Sequence, residues 1–167
     1  KELSEKYNIE NQNEFFNDIV NIVNDIYSND LKAVDGARSF LEKANLNYFI
    51  GSNSVKERIL VGLKKVKFEK FFSPDQVFSF DMVEKAKPEP DIYLSAMHTN
   101  NLIAAETIII EDSAIGVEAG VKAGVKVIGL TAGEHWYQDR STNELKESGA
   151  FLLINDYNLL LNEIKKL

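Results

Sequence analysis

Residues Ile108–Gly120 read IIIEDSAIGVEAG, and the order of residue types within them decides the fold. Three isoleucines form a β-branched apolar run of the kind that suits a strand covered on both faces. The run ends in Glu111 and Asp112. The chain then turns small at Ser113, Ala114, Gly116, Ala119 and Gly120, which predicts a helix laid close against a sheet. Two neighbouring carboxylates at a sheet end repel each other and lose hydration. A hard divalent cation such as Mg²⁺, which takes carboxylate and water oxygens, would offset both costs. The plainer alternative is that Asp112 or Ser113 caps the following helix. Residue types alone leave both readings open.

Working outward, the same alternation recurs. A helix predicted at Ala37–Ala44 leads to the apolar strand NYFI and then to GSNS, followed by a helix at about Val55–Lys65. The aromatic stretch FEKFFSPDQVFSF reads as loop. In KAKPEPDIYLSAMHTNN the prolines break the chain, and Asp91 is placed to cap a helix running to His98. The strand Thr107–Ile110, a helix at about Ile115–Ala123, the strand Lys126–Leu130, a helix at about Asn143–Ser148, the strand Phe151–Ile154 and a last helix follow. Apolar strands alternating with helices at short spacing predict an α/β fold, a parallel sheet with helices on both faces. Ahead of this core, Asn13–Ser28 places Phe16, Ile19, Val23, Ile26 and Tyr27 on one helical stripe, with Asn13 as expected N-cap. The one compositional boundary falls near residue 30.

Composition narrows the function classes. The 167 residues carry 26 Asp and Glu against 19 Lys and Arg, for a net charge of −7. That balance argues against a binder of nucleic-acid backbones, which needs a basic face. A small anionic substrate needs only one or two local cations. Cysteine is missing, so thiol catalysis, disulfides and cysteine-metal sites are excluded. No apolar run approaches the ~20 residues of a membrane helix. No signal peptide is visible, and a cytoplasmic location is the expectation. The chain begins Lys1-Glu2-Leu3 without an initiator methionine, which predicts that the gene product extends further.

In open parallel sheets, ligands bind at the carboxyl ends of strands. Those ends hold Gly51, Ser52, Asn53 and Ser54, then Glu111 and Asp112, then Thr131. Ser52, where strand gives way to helix, can help hold an anion with helix-start amides, or an N-cap such as Ser54 can simply start the helix. Lys87, stiffened by Pro88, is a point charge suited to phosphate, whereas Lys85 reads as solvated. His98 falls within a helix and reads as structural. His135, in TAGEHWYQD, lies in a loop after a strand end and can approach a substrate.

Taken in order, a strand ending in Ser52, then KPEPDIY, then EDSAIGVEAG resembles the haloacid dehalogenase superfamily of phosphohydrolases. The nearest likeness is to the subfamily with a helical cap, which includes sugar-phosphate phosphatases and β-phosphoglucomutase. The likeness spans about Val34 to Ile154. It implies a Rossmann-like core over residues 33–167 and the C-terminal part of a helical cap over residues 1–32. It also implies that Ser52 and Asn53 bind phosphate, that Lys87 neutralises phosphate and steadies the nucleophile, and that Asp112, with Glu111 directly or through water, binds Mg²⁺. The family's first motif, an Asp-x-Asp string whose first aspartate is the nucleophile, has no match upstream of Ser52. The family's first strand lies between the strand ending at Ser52 and the strand ending at Asp112, so these residues are expected to lack a central strand. The implied function is an Mg²⁺-dependent phosphatase of a small phosphorylated metabolite, such as a sugar phosphate, inactive in these 167 residues alone. The alternatives are a phosphomutase and a non-catalytic binding module. A metal-independent dehalogenase fits the Glu111–Asp112 pair less well.

Overall fold

The computed structural model describes residues 11–137 and 140–167, with Ser28 described by its backbone only. The chain opens with α1 (Gln12–Asn29) and α2 (Ala37–Lys43), then β1 (Ile50–Ser52), α3 (Lys56–Lys65) and β2 (Val77–Ser79). There follow α4 (Asp91–Asn100), β3 (Ile108–Glu111), α5 (Ala114–Lys122), β4 (Lys126–Leu130), α6 (Asn143–Glu147), β5 (Leu152–Ile154) and α7 (Tyr157–Ile164). All strand pairs are parallel. β1 pairs with β2, aligning Ile50 with Val77 and Ser52 with Ser79. β4 lies between β3 and β5, aligning Ile110 with Ile128 and Gly129 with Leu153. The predicted α/β architecture, a parallel arrangement with helices on both faces, is the observed one.

The two faces follow from strand alternation. On one side Ile109 and Val127 meet Val117 and Ala119 of α5, Tyr93 of α4 and Leu145 of α6. On the other, Ile128, Leu130 and Ile154 meet Phe40 of α2 and Leu160 of α7. Gly120 lets α5 lie close to the sheet, since a Cβ there would stand 2.6 Å from a Val127 methyl. Ile92 and Ala96 of α4 pack on Phe78 of β2, while Tyr93 of the same helix packs with Ile109 of β3. Helix α4 therefore touches both strand sets.

Several local expectations need correction. The segment read as an aromatic loop contains β2, three residues that are all buried. Its shortness, between two 3₁₀ turns, hides the strand signal. Asn11, rather than Asn13, caps α1 by accepting from the Glu14 amide. The stripe on α1 is not a core face: Phe16 is 65% exposed, and Ile19 and Ile26 are also exposed. Helix α1 instead packs through Tyr27, which meets α3 at Gly62. Pro90 occupies the N-cap position of α4, and the Asp91 carboxylate accepts from the Lys85 amide. Neither Ser54 nor any other side chain of its own segment caps α3; Asp81 accepts from the Lys56 amide.

β1 and β3 do not pair. A cleft of about 520 Å³ runs between them, lined by Ile50, Gly51, Tyr93, Ile109 and Ile110 among others. The family resemblance implies a further central strand between these two strands. No helix among the described residues is long and apolar enough to cross a membrane.

The burial pattern makes β4 the element on which stability rests. Truncating the fully buried Ile128 to alanine should cost about 2–5 kcal/mol. Truncating the exposed Phe16 should change stability by less than about 0.5 kcal/mol. Urea unfolding followed by far-UV circular dichroism reads both. Equal losses would show that α1 is part of the same core.

Candidate active site

The carboxyl ends of β1 and β3 deliver the candidate residues, and Lys87 joins the two ends. Its ammonium donates to the Gly51 carbonyl at 2.9 Å and to Glu111 Oε1. Both ionic side chains are buried, Lys87 being 6% and Glu111 7% exposed. A buried ion pair is favourable only when further hydrogen bonds satisfy the remaining polar positions. Here they do. Glu111 Oε1 also accepts from the Tyr93 hydroxyl, and Oε2 accepts from the Asp112 amide at 3.2 Å and the Ser113 hydroxyl at 3.0 Å. The Tyr93 hydroxyl is held well above its ordinary pKa by burial and then by the Glu111 charge, so it stays a proton donor.

The adjacent acids are thus divided. Successive residues of a strand point to opposite faces, and Glu111 turns inward to Lys87 while Asp112 stays 59% exposed. Glu111, expected beside the metal, has its oxygens engaged by four donors of the protein. Asp112 lies in a second pocket of about 270 Å³ with Gly51, Gly133, His135 and Tyr157. His135 Nε2 stands 3.4 Å from Asp112 Oδ2. The Asp112 carboxyl is pushed above the usual aspartate range by burial first and by the Glu111 charge second, with His135 and Lys87 opposing. Asp112 does not cap the next helix. Ser113 does, accepting from the Gly116 amide at 3.2 Å.

Ser52 ends β1 directly after Gly51, and its hydroxyl accepts from the Ser54 amide at 3.1 Å. As an O–H group it still has its proton to donate. Asn53, expected at phosphate, closes its side-chain amide on the main chain of Lys87. Thr131 is structural, with its N–H and hydroxyl both bonded to the Ile154 carbonyl. His98 is exposed in the last turn of α4, at the opposite end from Tyr93.

Tyr93 and Tyr157 belong to the site but are not singled out as site residues by the sequence, where Ser113 and Gly116 read only as a helix cap and a small packing residue. Gly116 was expected to bring helix and sheet together. Its use is different: a Cβ there would fall 2.1 Å from the Glu111 carboxylate, so glycine makes room for the buried acid. Tyr157 closes one wall of the pocket, and its hydroxyl pKa is raised by burial and then by Asp112.

Hard oxygen donors suit Mg²⁺, and Asp112 supplies one carboxylate whose charge is at present opposed by its surroundings. Among the described residues no group of three or more His, Asp or Glu side chains forms a complete metal cage. Mg²⁺ here would take its remaining ligands from water, phosphate or further carboxylates.

Two predictions follow from this geometry. Gly116→Ala should cost about 1–3 kcal/mol in urea unfolding, because the new methyl must displace a buried, fully bonded carboxylate. A neutral effect would show that Glu111 is free to move. Asp112→Asn should raise stability at pH 7. The folded-state pKa of Asp112 lies above its unfolded value. Its ionised form therefore costs nothing below the unfolded pKa, and the cost is complete above the folded one. Since the side chain is half exposed, water screens the effect to less than about 1 kcal/mol. The gain should vanish near pH ~3. A variant less stable than the parent at pH 7 would contradict this.

Comparison with known proteins agrees with the geometry. Residues 1–130 match the family of haloacid dehalogenase-like hydrolases. A phosphorylated carbohydrates phosphatase of Thermotoga maritima is 28% identical over 139 residues, covering 81% of this chain and 61% of that protein. The chain thus spans about three fifths of that relative. A haloacid dehalogenase-like protein of unknown function from Agrobacterium tumefaciens superposes with a TM-score of 0.88 at 25% identity, over 99% of this chain and 74% of the other. A haloacid dehalogenase family hydrolase from Deinococcus radiodurans, solved with bound phosphate and sodium, gives 0.78 at 25% identity, over 99% and 74%. The family match covers well over half of the sequence, and this chain belongs to the haloacid dehalogenase-like hydrolases.

Proposed function

We propose that this chain forms the phosphate- and metal-binding part of a phosphohydrolase that acts on a small phosphorylated metabolite, a sugar phosphate being the favoured class. The observation that carries the reading is the buried Lys87 ammonium. It is fixed between the Gly51 carbonyl of β1 and the Glu111 carboxylate of β3, the residues that directly precede Ser52 and Asp112 in the chain. A lysine ammonium has three N–H donors, and two are engaged by Gly51 and Glu111. The third is left, among the described residues, to meet a phosphoryl oxygen. The relatives that act on phosphorylated carbohydrates, or hold phosphate, support the substrate class.

The cleft between β1 and β3 takes one further parallel strand, and the nucleophilic aspartate of the family stands at its carboxyl end. That carboxylate attacks phosphorus, the bond to the leaving oxygen breaks, and a second aspartate, in its protonated carboxylic acid form, gives its proton to that oxygen. Water then cleaves the acyl phosphate and releases inorganic phosphate. Throughout, Lys87 offsets charge on the phosphoryl oxygens and Ser52 donates to one of them. Mg²⁺, held through Asp112, would supply the remaining charge neutralisation. Glu111 serves by keeping Lys87 in place. Helix α1, whose outer apolar side is exposed, belongs to a cap over this rim, with residues 33–167 as the core.

The test is binding of inorganic phosphate to this chain, followed by ³¹P NMR with and without Mg²⁺. Lys87→Met should weaken phosphate binding at least tenfold, in line with loss of a charge-assisted hydrogen bond. Asp112→Asn should remove the Mg²⁺ dependence while leaving Lys87 in place. Phosphate affinity unchanged in Lys87→Met would overturn the assignment.

A further inference from the structure

Lys87 is held at two places by residues distant from it in the chain or on a neighbouring helix. Its main chain is gripped by Asn53: the Lys87 N–H donates to Asn53 Oδ1 at 2.9 Å, and Asn53 Nδ2 donates to the Lys87 carbonyl at 3.1 Å. Two bonds between the same pair of residues fix orientation as well as position. They tie the end of β1 to a segment 34 residues away. Its ammonium is gripped by the Glu111 carboxylate, and Tyr93 touches both partners of that pair. The Tyr93 hydroxyl donates to the same Glu111 oxygen that Lys87 uses. The Tyr93 ring also presents its face to the ammonium, 4.7 Å from its centroid. The ring can occupy this place because residue 51 is glycine; a Cβ there would stand 2.9 Å from Tyr93 Cε1.

We propose that Asn53 and Tyr93 are positioning residues for Lys87, and that neither contacts phosphate. This rests on the reading of Lys87 as the phosphate-binding cation. A lysine side chain has a flexible four-carbon stem and loses much rotamer freedom when its ammonium is fixed. Holding the stem's root through Asn53 and its tip through Glu111 and Tyr93 removes that freedom before an anion arrives, so affinity is not spent on ordering the lysine. Asn53 thereby acts on phosphate only through Lys87, although it directly follows Ser52. Tyr93 acts from behind the ion pair: it is 8% exposed, and its hydroxyl is committed to Glu111.

Double-mutant cycles in this chain separate positioning from contact. The readout is the dissociation constant of inorganic phosphate by calorimetry. Asn53→Ala and Tyr93→Phe should each weaken binding by roughly tenfold, the scale typical of supporting residues around a site. In a Lys87→Met background both effects should disappear. If Lys87→Met does not fold, Lys87→Met/Glu111→Gln, which removes both buried charges, takes its place. A loss from Asn53→Ala that persists in either background would overturn the proposal, since Asn53 would then be a ligand. Parent-like affinity in Tyr93→Phe would overturn it for Tyr93. A second readout is independent of phosphate: the Lys87 Nζ resonance in a chain labelled with ¹⁵N-lysine, assigned by its loss in Lys87→Met/Glu111→Gln. It should shift and exchange faster with water in both Asn53→Ala and Tyr93→Phe. If the parent binds no phosphate but this resonance responds, the phosphate reading fails and the mount stands. A resonance unmoved in both variants removes the mount, whatever phosphate does.

Discussion

The Lys87 ammonium bonds the Gly51 carbonyl at the end of β1 and the Glu111 carboxylate at the end of β3. These two strands belong to different strand sets and have no ladder between them. At the rim, one cation therefore links what backbone hydrogen bonding does not. The geometry around the pair shows what that link requires. Glu111 needs four donors, Gly116 must lack a side chain, and Gly51 must leave space for the Tyr93 ring. Remove one partner of a buried pair and the other is left charged and unsatisfied, which costs about 3–5 kcal/mol. The rim is thus stiff on the Lys87–Glu111 side and more open at Asp112, where ionisation is disfavoured.

Below the rim, α4 makes the second link. Ile92 and Ala96 pack on β2, and Tyr93 packs on β3. The same helix therefore spans the cleft and carries the residue that completes the ion pair. Position and electrostatics at the rim thus come in part from one element. The cleft is apolar along Ile50, Ile109 and Ile110, with Asn47, Asn101, Glu106 and Thr107 among its polar lining.

Much of this was legible in the residues. The run from β3 through α5 to β4 could be bounded to within about one residue. Its apolar strands and small helix residues have no competing period, and propensity and burial point the same way. β2 was not legible, because three buried residues inside an aromatic-rich segment offer no alternation to count. The stripe on α1 was legible as a helix but not as exposed, since a hydrophobic period shows that a face wants cover without showing what covers it. Within the site, Ser52, Lys87 and Asp112 stand at strand ends or beside them, where a parallel sheet delivers side chains. The division of Glu111 from Asp112 was implicit in the two-residue period of a strand but was obscured by reading them as a pair. Asn53 and Tyr93 could not be assigned from spacing, because their roles depend on contacts 34 and 18 residues away in the chain.

The most direct test of this account is a crystal structure of the chain soaked with tungstate, an electron-dense phosphate analogue. The account predicts the anion on the Lys87 ammonium and the Ser52 hydroxyl, with Asn53 still closed on the Lys87 main chain and Glu111 still bonded to Tyr93. Tungstate bound elsewhere, or Lys87 swung away from Gly51 and Glu111, would contradict it.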